Sequence, residues 1–328
     1  MKNIKVAING FGRIGRALFR VLHEREGIEV VAINDLADVK SLAHLLKYDS
    51  VHRIFNADVK ALNHSILVDG HSIAVTHESE LENLVWTNCD VVIEATGKFL
   101  SRTDLEKHII AGAKKVILSA PPKGDKVKMI VLGVNDDLIE ESDTILSNAS
   151  CTTNSAAPMV QLIDANFGVE QAYITTIHSY TQDQSLHDTP HKDLRRARAG
   201  ALSIIPTTTG AAKALTKIFP HLEIGGCGIR VPVPNGSLTD ITFIVKKECT
   251  IEEVNKVFFE ASKNSHKGYV VYTDEPIVSV DVVGNSASCL FDSQLSSVLG
   301  KMVKIVSWYD NEMGYSHRLA DLIKKLSF

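Results

Sequence analysis

Apolar residues in the first 150 positions fall in short unbroken runs separated by stretches of helical period. Residues 3–8, 28–33, 90–95, 115–119 and 129–133 are predicted strands covered on both faces. Between them, Ile14, Ala17, Leu18, Val21 and Leu22 recur at helical spacing within 14–25. Asp38 opens a second helix carrying Val39, Leu42, Leu45 and Leu46, and Ser101-x-x-Asp104 opens a third. Strands alternating with helices predict a doubly wound parallel sheet. After residue 150 the pattern changes. A helix over 152–166 leads to a strand at 171–178 and a polar, basic loop at 179–201. Strands of alternating character follow at 228–233, 238–247, 276–283, 288–292 and 303–309. Thr250-x-x-Glu253 starts a helix with Val254, Val257, Phe258 and Ala261 on its apolar face. Few helices among alternating strands predict an α+β domain with a mostly antiparallel sheet. The expected division is therefore residues 1–150 and 151–311, with a C-terminal helix over 312–328 packing back on the first domain.

The length of 328 residues suits two such domains, and 45% hydrophobic with 23% charged residues is ordinary globular composition. The formal charge of −4 gives no indication of nucleic acid or of an acidic membrane surface as partner. No apolar run reaches the roughly 18 residues of a membrane helix, and residues 1–10 lack the apolar core of a secretion signal. Five cysteines, an odd number without zinc-ligand spacing, suggest no metal and a cytoplasmic protein with reduced thiols.

Gly10-Phe11-Gly12-Arg13-Ile14-Gly15 is a G-x-G-x-x-G run between a predicted strand and a predicted helix. Glycines there permit a tight turn and close approach of backbone to a pyrophosphate, which the helix N-terminus then binds. Asp35 ends the second strand, where a carboxylate accepts the adenosine ribose hydroxyls and repels a 2′-phosphate. Strand, helix and acid together predict a Rossmann-type domain that binds NAD rather than NADP.

Cys151 stands at the start of a predicted helix, within Ser150-Cys151-Thr152-Thr153-Asn154. The positive end of a helix lowers a thiol pKa and populates the nucleophilic thiolate; a small buried residue at a domain junction is the other reading. His178, at the end of the next strand, is the candidate base, although position alone does not separate it from the other histidines. Arg230 lies in an apolar strand and needs a carboxylate or phosphate partner. Asp193-Leu194-Arg195-Arg196-Ala197-Arg198 is either an anion site or a solvated or subunit-contact face. Thr207-Thr208-Thr209-Gly210 opens a helix suited to phosphate.

Together these runs resemble the phosphorylating glyceraldehyde-3-phosphate dehydrogenases, along essentially the whole chain. Residues 8–16, Ser147-Asn148-Ala149-Ser150-Cys151-Thr152-Thr153-Asn154, 194–198, 206–213 and Trp308-Tyr309-Asp310-Asn311-Glu312-Met313-Gly314-Tyr315 carry the resemblance. It implies oxidation of glyceraldehyde 3-phosphate through a thioester on Cys151, with His178 as base, NAD as hydride acceptor and inorganic phosphate as the group that resolves the thioester. It further implies cofactor contacts from Gly10, Gly12, Arg13, Ile14, Gly15, Asp35, Ser119 and Asn311. The substrate phosphate would meet Thr181, Asp183 and Arg230; the attacking phosphate would meet Ser150, Thr152, Arg196, Thr209 and Gly210. A homotetramer is implied as well, with the 179–201 loop against a neighbouring subunit. Erythrose-4-phosphate dehydrogenase is the sister alternative, and a Cys–His hydrolase or acyltransferase the alternative from another class. Ser155 replaces the second cysteine many such proteins carry, Ser79 replaces a basic residue on the adenosine side, and Thr189 stands where leucine is common.

Overall fold

The computed structural model describes residues 3–326. Contacts divide the chain into two units: one holds the residues up to Ile130, Asp137–Ala149 and the residues from Ser316 on, and the other holds Val131–Asp136 and Ser150–Tyr315.

The first unit is built on a nine-stranded sheet. In spatial order its strands are Lys128–Met129, Ile145–Ser147, Lys115–Leu118, Val91–Glu94, Ile4–Asn9, Ile28–Asn34, His71–Thr76, Ser65–Val68 and Val59–Ala61. The first seven run parallel; the last two pairings are antiparallel. Val6, Ala7, Ile8, Val91, Val92 and Ile93 at the centre have no solvent exposure, which is why these strands read as unbroken apolar runs. Helices α1 (Arg13–His23), α2 (Val39–Lys47) and α3 (Arg102–Ile110) cross over between strands. Asp38 and Ser101 cap α2 and α3 through the amides of Ser41 and Asp104, as their positions predict. The C-terminal helix Met313–Lys325 buries Leu319, Leu322 and Ile323, and its Asp321 and His317 meet the Arg25 guanidinium. The final two residues of the predicted 312–328 helix lie outside the described residues.

The second unit holds an eight-stranded sheet: Ile205–Thr207, Glu223–Val231, Val169–Ser179, Ser237–Val245, Met302–Tyr309, Cys289–Asp292 and Val270–Thr273 in order, with Ser297–Leu299 also on Met302–Tyr309. Pairing is antiparallel except for Val169–Ser179 with Glu223–Val231 and Val270–Thr273 with Cys289–Asp292. Along Ser237–Val245 every second residue is buried, the alternation of a sheet with one covered face. Helices α4 (Cys151–Phe167), α5 (Ala211–Ile218) and α6 (Ile251–Lys263) supply apolar cover. Phe258 of α6 stacks on Phe291 with ring centroids 3.9 Å apart, and Thr250 and Glu253 form the expected capping box.

The fold is thus a Rossmann-type α/β domain plus an α+β domain with a mostly antiparallel sheet, as the apolar pattern implies. Local differences have physical causes. Residues 276–283 alternate like a strand but contain the 3-10 turn Ser279–Val282, because Asp281 takes the Val278 amide that a sheet would need. The strand expected at 129–133 shrinks to Lys128–Met129. The edge strands between Val59 and Thr76 escape prediction because they are short and half exposed. Among the described residues, no helix is long and apolar enough to cross a membrane and no cluster of His, Cys, Asp or Glu could hold a metal.

Candidate active site

The residues singled out from the sequence fall in both units. In the first, the chain leaves Ile4–Asn9 through Gly10, whose φ is +92°. A Cβ on Gly10 would lie 2.7 Å from Ala95 C and Thr96 N, and one on Gly15 would lie 2.2 Å from the Gly10 carbonyl oxygen. Neither position tolerates a side chain, so the backbone at the start of α1 stays bare. Gly12 is the N-cap of α1 and offers no side-chain cap, so no cap side chain stands between the start of this helix and an anion. Asp35 accepts from the Phe11 amide at 2.7 Å through Oδ2 and from the Ala37 amide at 3.0 Å through Oδ1. A carboxylate has about four acceptor sites, so Asp35 ties down the glycine loop and keeps lone pairs for ribose hydroxyls. Ser119 follows Lys115–Leu118 and donates its amide to the Glu94 carbonyl at 2.9 Å. Arg13 Nη1 sits 2.5 Å from Asp49 Oδ2. Gly10, Asp35 and Ser119 directly follow the carboxyl ends of parallel strands, where open α/β sheets bind ligands. The bare glycine cradle, uncapped helix start and Asp35 together fit NAD. Asp35→Gly is therefore expected to weaken NAD binding and move the NAD-to-NADP affinity ratio toward NADP by roughly tenfold to a hundredfold; isothermal titration with both cofactors measures it, and an unchanged ratio would assign the preference elsewhere.

In the second unit, Ser150 caps α4 by accepting from the Thr153 amide at 3.1 Å, so Cys151 is its first residue. The parallel register of Val169–Ser179 with Glu223–Val231 sets His178 beside Arg230. Cys151 Sγ lies 3.4 Å from His178 Nε2. At the other nitrogen two partners compete: Arg230 Nη1 at 2.6 Å and the Ser179 carbonyl at 2.7 Å. A guanidinium only donates. While Arg230 holds Nδ1, the ring proton belongs on Nε2 and faces the sulfur; with Arg230 withdrawn, Nδ1 donates to the carbonyl and Nε2 becomes an acceptor. Burial, reinforced by Arg230, pushes His178 down to about 3. Burial also pushes the Cys151 thiol up, against the pull of Arg230 and of the Thr152 amide and hydroxyl toward thiolate. The lowered thiol pKa expected from a helix start is thus reversed in net direction, because the sulfur's desolvation outweighs the charges around it.

Tyr309 Oη lies 2.8 Å from Thr152 Oγ1 and 3.1 Å from Thr176 Oγ1, and its ring meets His178 edge-on at 6.0 Å. Burial raises the phenol pKa and keeps it neutral. Asn311 Oδ1 accepts from the hydroxyls of Ser179 at 2.9 Å and Ser237 at 2.8 Å; this orients the buried amide and turns its Nδ2 away from those hydroxyls. Tyr309, Ser179 and Ser237 hold the site together; Tyr309 lies in a run that carries the resemblance but with no role attached to it, and the two serines carried no signal in the sequence beyond their places in strands.

The expected anion residues are grouped unevenly. Arg196 donates to Thr207 Oγ1 at 2.9 Å, to Asp183 Oδ2 at 2.5 Å and to the Thr208 carbonyl at 3.3 Å. It is near enough to His178 and Arg230 to disfavour the charge of both, while Asp183 supports Arg230. Thr181 is turned to Gln184 through its amide at 3.0 Å, and Thr209 Oγ1 accepts from the Ala211 amide at 3.2 Å beside Gly210, the N-cap of α5. Among the described residues no hydrogen bond joins Arg196 to Ser150, Thr152, Thr209 or Gly210. Arg198 pairs with Asp188 on the exposed surface, which is the solvated-face reading of that arginine.

A Rossmann-type NAD-binding unit and a unit presenting a cysteine, a histidine and two arginines are the parts of an NAD-dependent dehydrogenase. The family pattern for the NAD binding domain of glyceraldehyde 3-phosphate dehydrogenase matches residues 4–102, and that for the C-terminal domain matches residues 150–311. The chain is 52% identical over 329 residues to glyceraldehyde-3-phosphate dehydrogenase of Thermotoga maritima, covering 98% of both chains. It is 50% identical over 325 residues to the protein of that name from Geobacillus stearothermophilus, covering 97% of both, and 48% identical over 330 residues to glyceraldehyde-3-phosphate dehydrogenase 2 of Bacillus subtilis. The chain belongs to the glyceraldehyde 3-phosphate dehydrogenase family, and NAD is its cofactor.

Proposed function

We propose that this chain oxidises glyceraldehyde 3-phosphate to 1,3-bisphosphoglycerate with NAD and inorganic phosphate, with Cys151 and His178 as its catalytic residues. The observation that carries the reading is the contact between Cys151 Sγ and His178 Nε2, with Arg230 on the far side of the ring. Cys151 sulfur adds to the aldehyde carbon, the C=O π bond opens, and the thiol proton passes to the aldehyde oxygen, which becomes the hemithioacetal hydroxyl. The substrate phosphate draws Arg230 from Nδ1; the ring then adopts the tautomer with its one proton on Nδ1, donated to the Ser179 carbonyl, and Nε2 is left as an acceptor. It accepts the hydroxyl proton of the hemithioacetal as the C–H bond is lost and the acyl thioester forms. Bound NAD supplies the hydride acceptor, and Gly10, Gly12, Arg13, Ile14, Gly15, Asp35, Ser119 and Asn311 are the groups that would hold it. A phosphate oxygen then attacks the thioester carbon, the C–S bond breaks, and Cys151 leaves as thiolate. Arg196, Ser150, Thr152, Thr209 and Gly210 are the proposed hosts of that phosphate; Thr181, Asp183 and Arg230 are those of the substrate phosphate. Arg196 must exchange its Asp183 partner for phosphate, a replacement of one anion by another.

A homotetramer is part of the proposal. Leu186, Leu194, Leu202 and Ile204 in and beside the 179–201 loop are each at least 70% exposed, apolar surface that suits a subunit contact. Five unpaired cysteines fit a reducing, cytoplasmic setting. The test is absorbance at fixed NAD: NADH should form only with glyceraldehyde 3-phosphate and phosphate both present. Equal rates without phosphate would indicate a hydrolytic route, and faster turnover of erythrose 4-phosphate would reassign the substrate.

A further inference from the structure

Beneath the loops at the carboxyl edge of the first sheet runs a buried polar chain across four adjacent strands. Asn9, Asn34, Thr76 and Glu94 occupy the last register positions of their strands, with Asn9 opposite both Glu94 and Asn34, and Asn34 opposite Thr76. Asn9, Asn34, Glu94 and His108 are at most 4% exposed. The direction of every bond in the chain can be read from its two ends. At one end the Glu78 amide donates to Asn34 Oδ1 at 2.8 Å, so Asn34 Nδ2 donates to Asn9 Oδ1 at 2.8 Å. Asn9 Nδ2 must then face Glu94 Oε2, and it does so at 2.6 Å. At the other end the Trp86 indole, which can only donate, gives its proton to His108 Nδ1 at 3.1 Å. The ring proton is therefore on Nε2 and goes to the same Glu94 Oε2 at 3.0 Å. Glu94 Oε1 accepts from the Thr96 amide at 2.8 Å and from the Thr96 hydroxyl, whose oxygen also accepts from the Lys98 amide at 3.1 Å. Four donors converge on one buried carboxyl group and leave no room for a proton on it.

We infer that Glu94 is the positioning residue of the cofactor edge: as an acceptor-only carboxylate it fixes the Asn9 amide that precedes Gly10 and the Thr96 backbone on which Gly10 is packed. Glu94 touches no cofactor atom in this role. It sets the separation of the glycine loop from the 95–98 loop, where the Gly10 fit leaves no spare room, and through Asn9 and Asn34 it extends that control to the loops after Asp35 and Thr76. Formation of this edge then depends on the charge of one side chain rather than on its shape. The inference rests on NAD occupying that edge.

Glu94→Gln keeps the shape but places an NH2 against two donors whichever way the amide turns. NAD affinity, read by fluorescence titration, should fall about tenfold, while iodoacetamide alkylation of Cys151 in cofactor-free protein keeps its wild-type rate. Asn9→Asp, which sets two carboxylates together, should lose affinity to a similar extent. The double variant Asn9→Asp/Glu94→Gln restores a donor–acceptor pair between these positions, with His108 Nε2 still facing the amide, and should recover part of the lost affinity. Losses that add in the double variant, or a Glu94→Gln affinity within about twofold of wild type, would overturn the inference. Should the single variants fail to fold, histidine 15N resonances of the wild-type protein decide it: the His108 ring should carry its proton on Nε2, with and without NAD. A ring with its proton on Nδ1 would contradict it. Failure of the wild-type protein to bind NAD would instead remove the cofactor reading beneath it.

Discussion

Cys151→Ser is expected to abolish NADH production, by roughly four orders of magnitude or more, and to leave NAD affinity within about twofold of wild type. The two effects separate because the sulfur sits in the second unit, among His178, Arg230 and Thr152, whereas the glycine cradle and Asp35 belong to the first. Serine fits the space, but its hydroxyl ionises far less readily than a thiol, and an oxygen ester in place of the thioester leaves poorly when phosphate attacks. Stopped-flow absorbance for oxidation and calorimetry for NAD binding measure the two quantities on the same sample. Loss of both together would show that residue 151 supports the fold of the cofactor edge rather than the chemistry.

His178→Asn should lower turnover by about 10²- to 10⁴-fold, the usual contribution of a positioned acid–base group. Its signature is a pH profile. In the wild-type protein burial raises the Cys151 thiol, and the Nε2–H of the imidazole opposite it is the group able to donate to the thiolate. Removing that group takes away the partner that favours the thiolate, so the thiol pKa rises further. Alkylation by iodoacetamide should then be slower near neutrality and the curve should move to higher pH; the two proteins should converge in strong alkali, where both sulfurs are ionised. A profile identical to wild type would remove His178 from the mechanism, whatever happened to turnover.

Much of the architecture could be read in advance because burial on two faces and burial on one leave different periods. Ile4–Asn9 and Val91–Glu94 are apolar throughout and belong to a parallel sheet; Ser237–Val245 alternates and belongs to the other. Asp38, Ser101 and Thr250 announced helix starts because capping is a local interaction. Glycines 10 and 15 were legible for the same reason: a positive φ or a 2.2 Å approach is a demand on one residue. What stayed hidden was long-range. Nothing near Arg230 in the chain says that strand register will set it on His178, and nothing near Tyr309 says that its hydroxyl will hold Thr152. The direction of the thiol shift was missed because helix position is local and desolvation is not. His108 and Glu94 lie 14 residues apart, one on a helix and one on a strand, and only the fold joins them.

The central claim is a thioester on residue 151 that phosphate resolves. Mixing the protein with NAD and glyceraldehyde 3-phosphate while withholding phosphate tests it most directly. The account predicts a burst of about one NADH per subunit, an acyl group found by mass spectrometry on the peptide holding Cys151, and prompt discharge of that group when phosphate is added. Sustained turnover without phosphate, or an acyl group on any other residue, would contradict it.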